Sequence, residues 1–315
     1  MGAMIVRRLG LGLLTLLVVS AIIFATTEIL PGDVATAILG QSATPEAVAN
    51  IRADLGLDRP AILRYGEWLS GFLHGDLGTS LASRQPVATQ LLRRLGNTMF
   101  LAGFAAVIAV PLAVGLGLLA AVKRETPLDK AISIATLSTI SVPEFFVGYI
   151  LIILLAVQFP IFPSLATVSA DMPLATRLYA VALPALTLTL VVLAHMMRMT
   201  RAAVIDVLSQ PYIEMARLKG LPDWRVVLEH ALPNALGPII TVVALNLAYL
   251  VVGVVVVEVV FVYPGMGQYM VDAVSKRDVP VVQACTLIFA LTYVGLNLLA
   301  DVLGIMVNPR LRHPR

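Results

Sequence analysis

A chain of 315 residues with 59% hydrophobic and only 13% charged side chains cannot cover itself with a water-soluble surface, for which about 25% charged residues is usual. A net charge of +3 is too small to argue for nucleic acid, and a single cysteine, Cys285, excludes a disulfide framework or a cysteine-based metal site. The composition is that of an integral membrane protein, in which runs of about 20 apolar residues mark the spans.

In chain order, the first uncharged run holds the 19 residues between Arg8 and Glu28. Its apolar core is longer than that of a signal peptide, and no small-x-small cleavage site precedes a polar mature start, so a retained helix is predicted. The outer segment 31–95 follows. Within it, Thr44 as N-cap, Pro45 at the first position and Gly56 as stop predict one helix, and a second is expected from Pro60 to about Phe72, with Tyr65, Trp68 and Leu69 as its apolar side. Gly75-Asp-Leu-Gly-Thr-Ser80 reads as a turn-rich loop. About sixty residues suffice for a lid or docking platform on the membrane, not for a catalytic domain.

The second span fills the 28 uncharged residues between Arg94 and Lys123, and the third runs from Lys130 to about Phe159, broken only by Glu144. The fourth, Leu178 to Ala194, is short and contains Pro184. The fifth fills Ala231 to Val257 and the sixth Val279 to Ala300. Six spans are therefore expected. Gly115, Gly117, Pro143, Gly148 and Gly253 allow close helix approach or bending within them.

Basic residues set the orientation. With the N-terminus inside, inner segments hold 13 of the 22 Lys and Arg residues, and six of the other nine lie in the long outer segment, where six acids balance them. Both termini are expected in the cytoplasm, together with the charged stretch Tyr212–Pro233. In that stretch Pro211 suits a first helical turn, while Gly220 and Pro222 end it. A second short helix is expected from Pro222–Trp224 to Glu229, ahead of the fifth span. Ala216 and Gly220, four apart, should form a shallow notch bordered by Tyr212 and Met215, with Glu214 and Arg217 as charged neighbours. A short helix with an apolar and a charged edge suits another protein's groove.

Spelled as Glu214-Met215-Ala216, three residues, Gly220, nine residues, His230, one residue, Leu232-Pro233, the stretch resembles the "EAA" loop of bacterial ABC importer permeases, with Met215 in place of Ala and His230 in place of Ile. Leu30-Pro-Gly-Asp33, Leu55-Gly-Leu-Asp-Arg-Pro60, Gly75-Asp-Leu-Gly78, Val259-Val-Phe-Val-Tyr-Pro-Gly-Met-Gly267 and Asn308-Pro-Arg310 extend the resemblance along the chain to the dipeptide/oligopeptide and nickel permease family, in particular its first permease subunit. The resemblance implies an all-α, six-span type I importer fold in the bacterial inner membrane. It divides the chain into an N-terminal end and first span (1–30), an outer segment (31–95), a permease core (96–310) containing the coupling loop 205–233, and a tail (311–315). It also implies a second homologous permease, two cytoplasmic ABC ATPases that hold ATP and Mg, and an outer substrate-binding protein; Glu214, Met215, Ala216, Arg217, Gly220, Leu232 and Pro233 would meet an ATPase. The sequence itself contains no Gly-x4-Gly-Lys-Ser/Thr loop, so ATP work is expected from a partner and no catalysis from this chain.

Three polar residues within the spans are singled out. Glu144 is a carboxylate at membrane depth, a costly position that usually faces protein or water, and is expected either to contact an amine-bearing solute or to be a partnered structural group. Asn246 is a second pathway candidate, although such groups also bridge helices. Glu258 is expected to brace the outer gate. His74, His195, His230 and His313 fall in different segments and predict no metal site. Rival readings are an ion-coupled transporter or channel, which would need no docking loop, and, more remotely, an intramembrane hydrolase using Ser141 and His195.

Overall fold

In the computed structural model, residues 2–29, 36, 43–54, 56, 58–169 and 171–307 are described. The Leu30–Asp33 and Asn308–Arg310 motifs, Leu55 and Leu57 of the 55–60 motif, and the 311–315 tail lie outside them. Among the described residues the elements are helical: α1 (Gly2–Ile29), α2 (Pro45–Asp54), α3 (Ala61–Leu73), α4 (Val87–Val122), α5 (Pro127–Ile140), α6 (Glu144–Ile152), α7 (Leu174–Ala180), α8 (Ala182–Leu208), α9 (Pro211–Leu218), α10 (Asp223–Arg225), α11 (Leu232–Val260), α12 (Met266–Ser275) and α13 (Val279–Val307). Five of the segments are long and apolar enough to cross a membrane, and a sixth is bent.

That sixth segment is the expected third span, broken where Pro143 allows bending. α5 and α6 meet at 99° across Ser141–Pro143. Pro143 has no N–H to continue a helix and its φ of −58° starts a new one. At 1.5 Å per residue α5 reaches about 21 Å, short of a hydrocarbon core of roughly 30 Å. Neither half crosses alone.

The fourth span differs. It is a 27-residue helix, α8, and 56% of its most apolar stretch is buried, against 17% for α1. A helix surrounded by protein can carry polar residues that lipid would not tolerate, so the run read from hydropathy stopped early at His195. Gly117 explains its closest contact: a Cβ there would come within 2.8 Å of both the Met197 carbonyl and Thr200 Cβ, so α4 and α8 touch through backbone. The main apolar core gathers Leu101, Ala105, Leu188, Met196, Leu250, Val254 and Phe261 between α4, α8 and α11.

α4 starts at Val87 instead of near residue 96, so the end of the expected outer segment is the first part of a membrane helix. Within that segment, Thr44 accepts the Ala47 N–H at 3.2 Å as the N-cap of α2, and Gly56 takes φ +63°. α3 lies against the end of α1: Tyr65 and Ser20 hydroxyls are 2.8 Å apart, Phe24 stacks edge-on with Tyr65 at 5.5 Å, and Arg64 pairs with Glu28.

Candidate functional site

The bundle has a basic end, where Lys123, Arg124 and the α8–α11 loop lie, and an opposite end carrying α2, α3 and α12. Chemistry-bearing residues gather at both.

At the basic end, α9 closes with a bond pattern that requires glycine. Gly220 N–H donates to the Arg217 carbonyl at 2.9 Å and Leu221 N–H to the Ala216 carbonyl at 3.4 Å, with Gly220 at φ +76°. This left-handed helix stop satisfies carbonyls at the last turn, and only glycine adopts it without steric cost. Leu221 then folds onto Ile213, Ala216, Val226 and Ala231.

Ala216 is therefore not half of an open notch. It is 6% exposed and packs inward, holding α9 against the chain that follows. The exposed face consists of Tyr212, Met215 and Leu218 on α9, with Trp224 and Leu228 beyond the turn, each 44–75% exposed. Glu214, Arg217 and Lys219 surround them, and Arg225 pairs with Glu229 at 3.0 Å. Five large apolar side chains are thus exposed on a polar loop, an arrangement that commonly accompanies interaction surfaces.

The second short helix also takes another form. α10 passes through a π-helical stretch, Val226–Ala231, straight into α11, giving one segment from Asp223 to Val260. Pro233 lacks the N–H that would bond Glu229, and a π turn just before it absorbs the lost bond. Leu232 packs on Ala121, Val204, Ala235 and Ile239, tying the loop to α4 and α8, while Pro233 is exposed. His230, in the π stretch, gives its carbonyl to Asn234 Nδ2 at 2.7 Å.

Nearby, Asp129 on α5 is 4% exposed and receives both Nε and Nη2 of Arg201 at 2.8 and 2.7 Å, together with the Glu125 N–H at 3.0 Å. A two-pronged charge pair of this kind fixes angle as well as distance. It fastens α5 to α8.

Glu144 opens α6 at the bend, half-buried, with the Tyr249 hydroxyl within electrostatic reach. Beside it the exposed Ser141 hydroxyl donates to the Leu137 carbonyl at 2.9 Å, which commits it to its own helix and away from any nucleophile–base pair with His195. Tyr149 and Tyr249 are each 51% exposed on this face. Asn246 turns the other way: at 8% exposure it donates to the Val242 carbonyl at 2.8 Å and approaches Met199 sulfur, so it braces helices and does not open onto the Glu144 face.

At the opposite end Glu258 is fully buried and accepts from Thr98 Oγ1 at 2.6 Å, Gly267 N–H at 2.7 Å and Gln268 N–H at 3.1 Å. The carboxylate thus caps the start of α12 from another helix, where the helix dipole favours negative charge. A Cβ at Gly265 would lie 2.0 Å from this carboxylate and one at Gly267 2.9 Å away, which accounts for the Pro264-Gly-Met-Gly267 spelling. Around it, Tyr263 hydroxyl donates to the Asn97 carbonyl at 2.8 Å, Asn97 Nδ2 to the Pro264 carbonyl at 2.9 Å, and Arg177 Nη2 to Asn97 Oδ1 at 3.0 Å. Burial pushes the Tyr263 hydroxyl up to about 12, so it remains a donor. Asp278, 3% exposed, receives Ser80 Oγ at 2.5 Å and the Leu81 and Ala82 N–H groups, clasping the outer loop. Of this knot only Glu258 and its glycine-rich neighbours stand out in the sequence. Arg94, Asn97 and Thr98, three and four apart at one end of an apolar run, form one polar helix face that could have been noticed. Asp278, Ser80 and Arg177 carry no local signal.

Among the described residues no group of three His, Cys, Asp or Glu side chains could hold a metal. Five long apolar helices and a sixth, bent pair define a multi-pass membrane protein. Residues 113–313 match the family described as binding-protein-dependent transport system inner membrane component, and residues 1–102 match the model of its N-terminal region. A protein named as a peptide transport system permease from Brucella abortus (strain 2308) is 37% identical over 314 residues, 99% of this chain and 100% of that one. The glutathione transport system permease protein GsiC of Escherichia coli (strain K12) is 39% identical over 310 residues, 98% of both chains. The chain belongs to the binding-protein-dependent transport system inner membrane component family and is a permease subunit of an ABC importer of the peptide type.

Proposed function

We propose that this subunit imports peptides or peptide-like solutes across the bacterial inner membrane by ATP-driven alternating access, with its basic end and both termini in the cytoplasm. The observation that carries the reading is the exposed apolar face of α9, Tyr212–Met215–Leu218, held outward by the Gly220 stop and by inward packing of Ala216. The partners are a second homologous permease, two cytoplasmic ABC ATPases that bind ATP and Mg, and a substrate-binding protein at the opposite end. This chain binds neither ATP nor a metal and catalyses no reaction.

In this scheme Glu214, Met215, Arg217 and Gly220 meet an ATPase directly. Ala216 and Leu232 act from behind, joining α9 to α8 and α11, and the exposed Pro233, at the start of α11, completes the docking surface. ATP biases a two-state equilibrium of the permease pair, and the loop carries that bias into the spans. Glu144, a half-exposed carboxylate at membrane depth, belongs on a water-filled face shared with the second permease, since lipid would not accept it. The solute class extends from the printed names of the relatives: the Brucella relative is named for peptides and the Escherichia coli relative for glutathione.

The test is site-specific cross-linking from Leu218→Cys to cysteines in the ATPase of the assembled importer. Nucleotide-dependent cross-links are expected at Leu218, with none from a cysteine placed at the exposed Ile62 of α3. Equal or absent cross-linking at both would remove the docking role.

A further inference from the structure

α1 is the least buried of the spans, and it meets the described bundle through α13 and α3. Its close approach to α13 is at Gly12, where an added Cβ would lie 3.1 Å from Leu298 Cδ1 and 3.3 Å from Val294 Cγ1. Beside that contact lies a cleft of about 580 Å³. Its mouth, at the basic end, carries Arg7, Arg8 and Asp301, Asn297 lies midway along it, and Leu11 and Leu298 form its walls. From Asp301 back to Tyr293 it follows α13 for eight residues, about 12 Å at 1.5 Å per residue. The charged side chains stand at one end of the cleft, and Leu11, Val294 and Leu298 line its length together with Thr15, Tyr293 and Asn297.

The charges in the mouth do not cancel. Arg8 pairs with Asp301, so the one carboxylate is already engaged. Asn297 commits Nδ2 to the Tyr293 carbonyl at 2.8 Å. Arg7 is exposed and has no ion-pair partner among the described residues. Two guanidiniums against one carboxylate leave one positive charge at the depth of a headgroup. Basic clefts between spans at this level suit phosphate-bearing lipid heads.

We infer that this cleft binds an anionic phospholipid, its phosphodiester on Arg7 and Arg8 and an acyl chain along Leu11 and Leu298. A zwitterionic lipid fits less well, because its ammonium would compete with Arg8 for Asp301. Free phosphate would use the mouth but none of the walls.

The test uses the full-length chain in detergent, followed by native mass spectrometry during titration with phosphatidylglycerol, phosphatidylcholine or inorganic phosphate. One arginine near the surface is worth about 1 kcal/mol toward an anionic lipid, or about fivefold in affinity. Phosphatidylglycerol should therefore bind the wild type about fivefold tighter than phosphatidylcholine. Arg7→Gln should bring the two to parity, whereas Arg124→Gln, at an exposed arginine of the same end outside the cleft, should leave the preference intact. Inorganic phosphate in excess should not displace the lipid. Equal binding of both lipids by the wild type, an undiminished preference in Arg7→Gln, loss of it in Arg124→Gln, or displacement by phosphate would each overturn the assignment.

Discussion

The two ends of the molecule use polar residues in opposite ways. At the opposite end Glu258, Thr98, Asn97, Tyr263 and Asp278 are turned inward, and their hydrogen bonds join α4, α11, α12 and the outer loop into one block. At the basic end Glu214, Arg217 and Lys219 face outward, alongside apolar side chains that nothing among the described residues covers. One end is finished by folding. In the proposed scheme the other is completed by an ATPase, and a substitution should therefore reduce stability at the first and transport at the second.

The largest break is expected from Glu258→Ala. It leaves three donors without a buried acceptor and opens a cavity, costing on the order of 3 kcal/mol or more. Folded yield and the thermal midpoint in detergent should both fall. A midpoint within a degree or two of wild type would mean that the knot is not structural. Asp278→Ala removes the acceptor for Ser80, Leu81 and Ala82 and is expected to cost about 2 kcal/mol. Limited proteolysis should then cut the 75–85 loop first, and unchanged digestion would deny the clasp.

Gly220→Val sharpens the comparison from the other side. No neighbour lies within 4 Å of an added Cβ, so the φ of +76° is the main opposition, at about 2 kcal/mol for a β-branched residue. The protein should insert and fold while uptake and ATPase coupling fall. Gly220→Asn, which tolerates the left-handed region, should retain most of both. Equal loss in the two variants would point to lost docking contacts instead of backbone geometry. Smallest in stability, within about 0.5 kcal/mol, should be Glu144→Gln. Its expected effect is on uptake of amine-bearing solutes relative to neutral ones, and an unchanged ratio would leave Glu144 a structural group.

Much of this plan was legible in the residues because bilayer and helix physics write it locally. Uncharged runs located the spans, Pro211 and Gly220 bracketed α9, and Thr44 capped α2. What escaped the sequence depended on distant partners. The extent of α8 was hidden because burial by neighbours, not its own hydropathy, makes His195 and Arg201 acceptable there. The inward turn of Ala216 was equally hidden, since spacing along a helix gives neighbours but not which face is covered, whereas the bridging role open to Asn246 needed only its partners to be seen. The bend at Ser141–Pro143 was signalled by Pro143, yet its angle is set by where α5 and α6 are attached.

Those attachments make the bend a mechanical joint. The inner limb is bolted to α8 by Asp129 and Arg201, and the outer limb rests through Gly148 on Val260 at the end of α11 and on Phe261 just beyond it, where an added Cβ would lie 3.3 Å from each. Both arms also lie against α8, so the elbow braces one long helix at two heights and hands its outer arm on to the end of α11. A tilt of α8 would load both arms at once, and Glu144 sits at the corner between them.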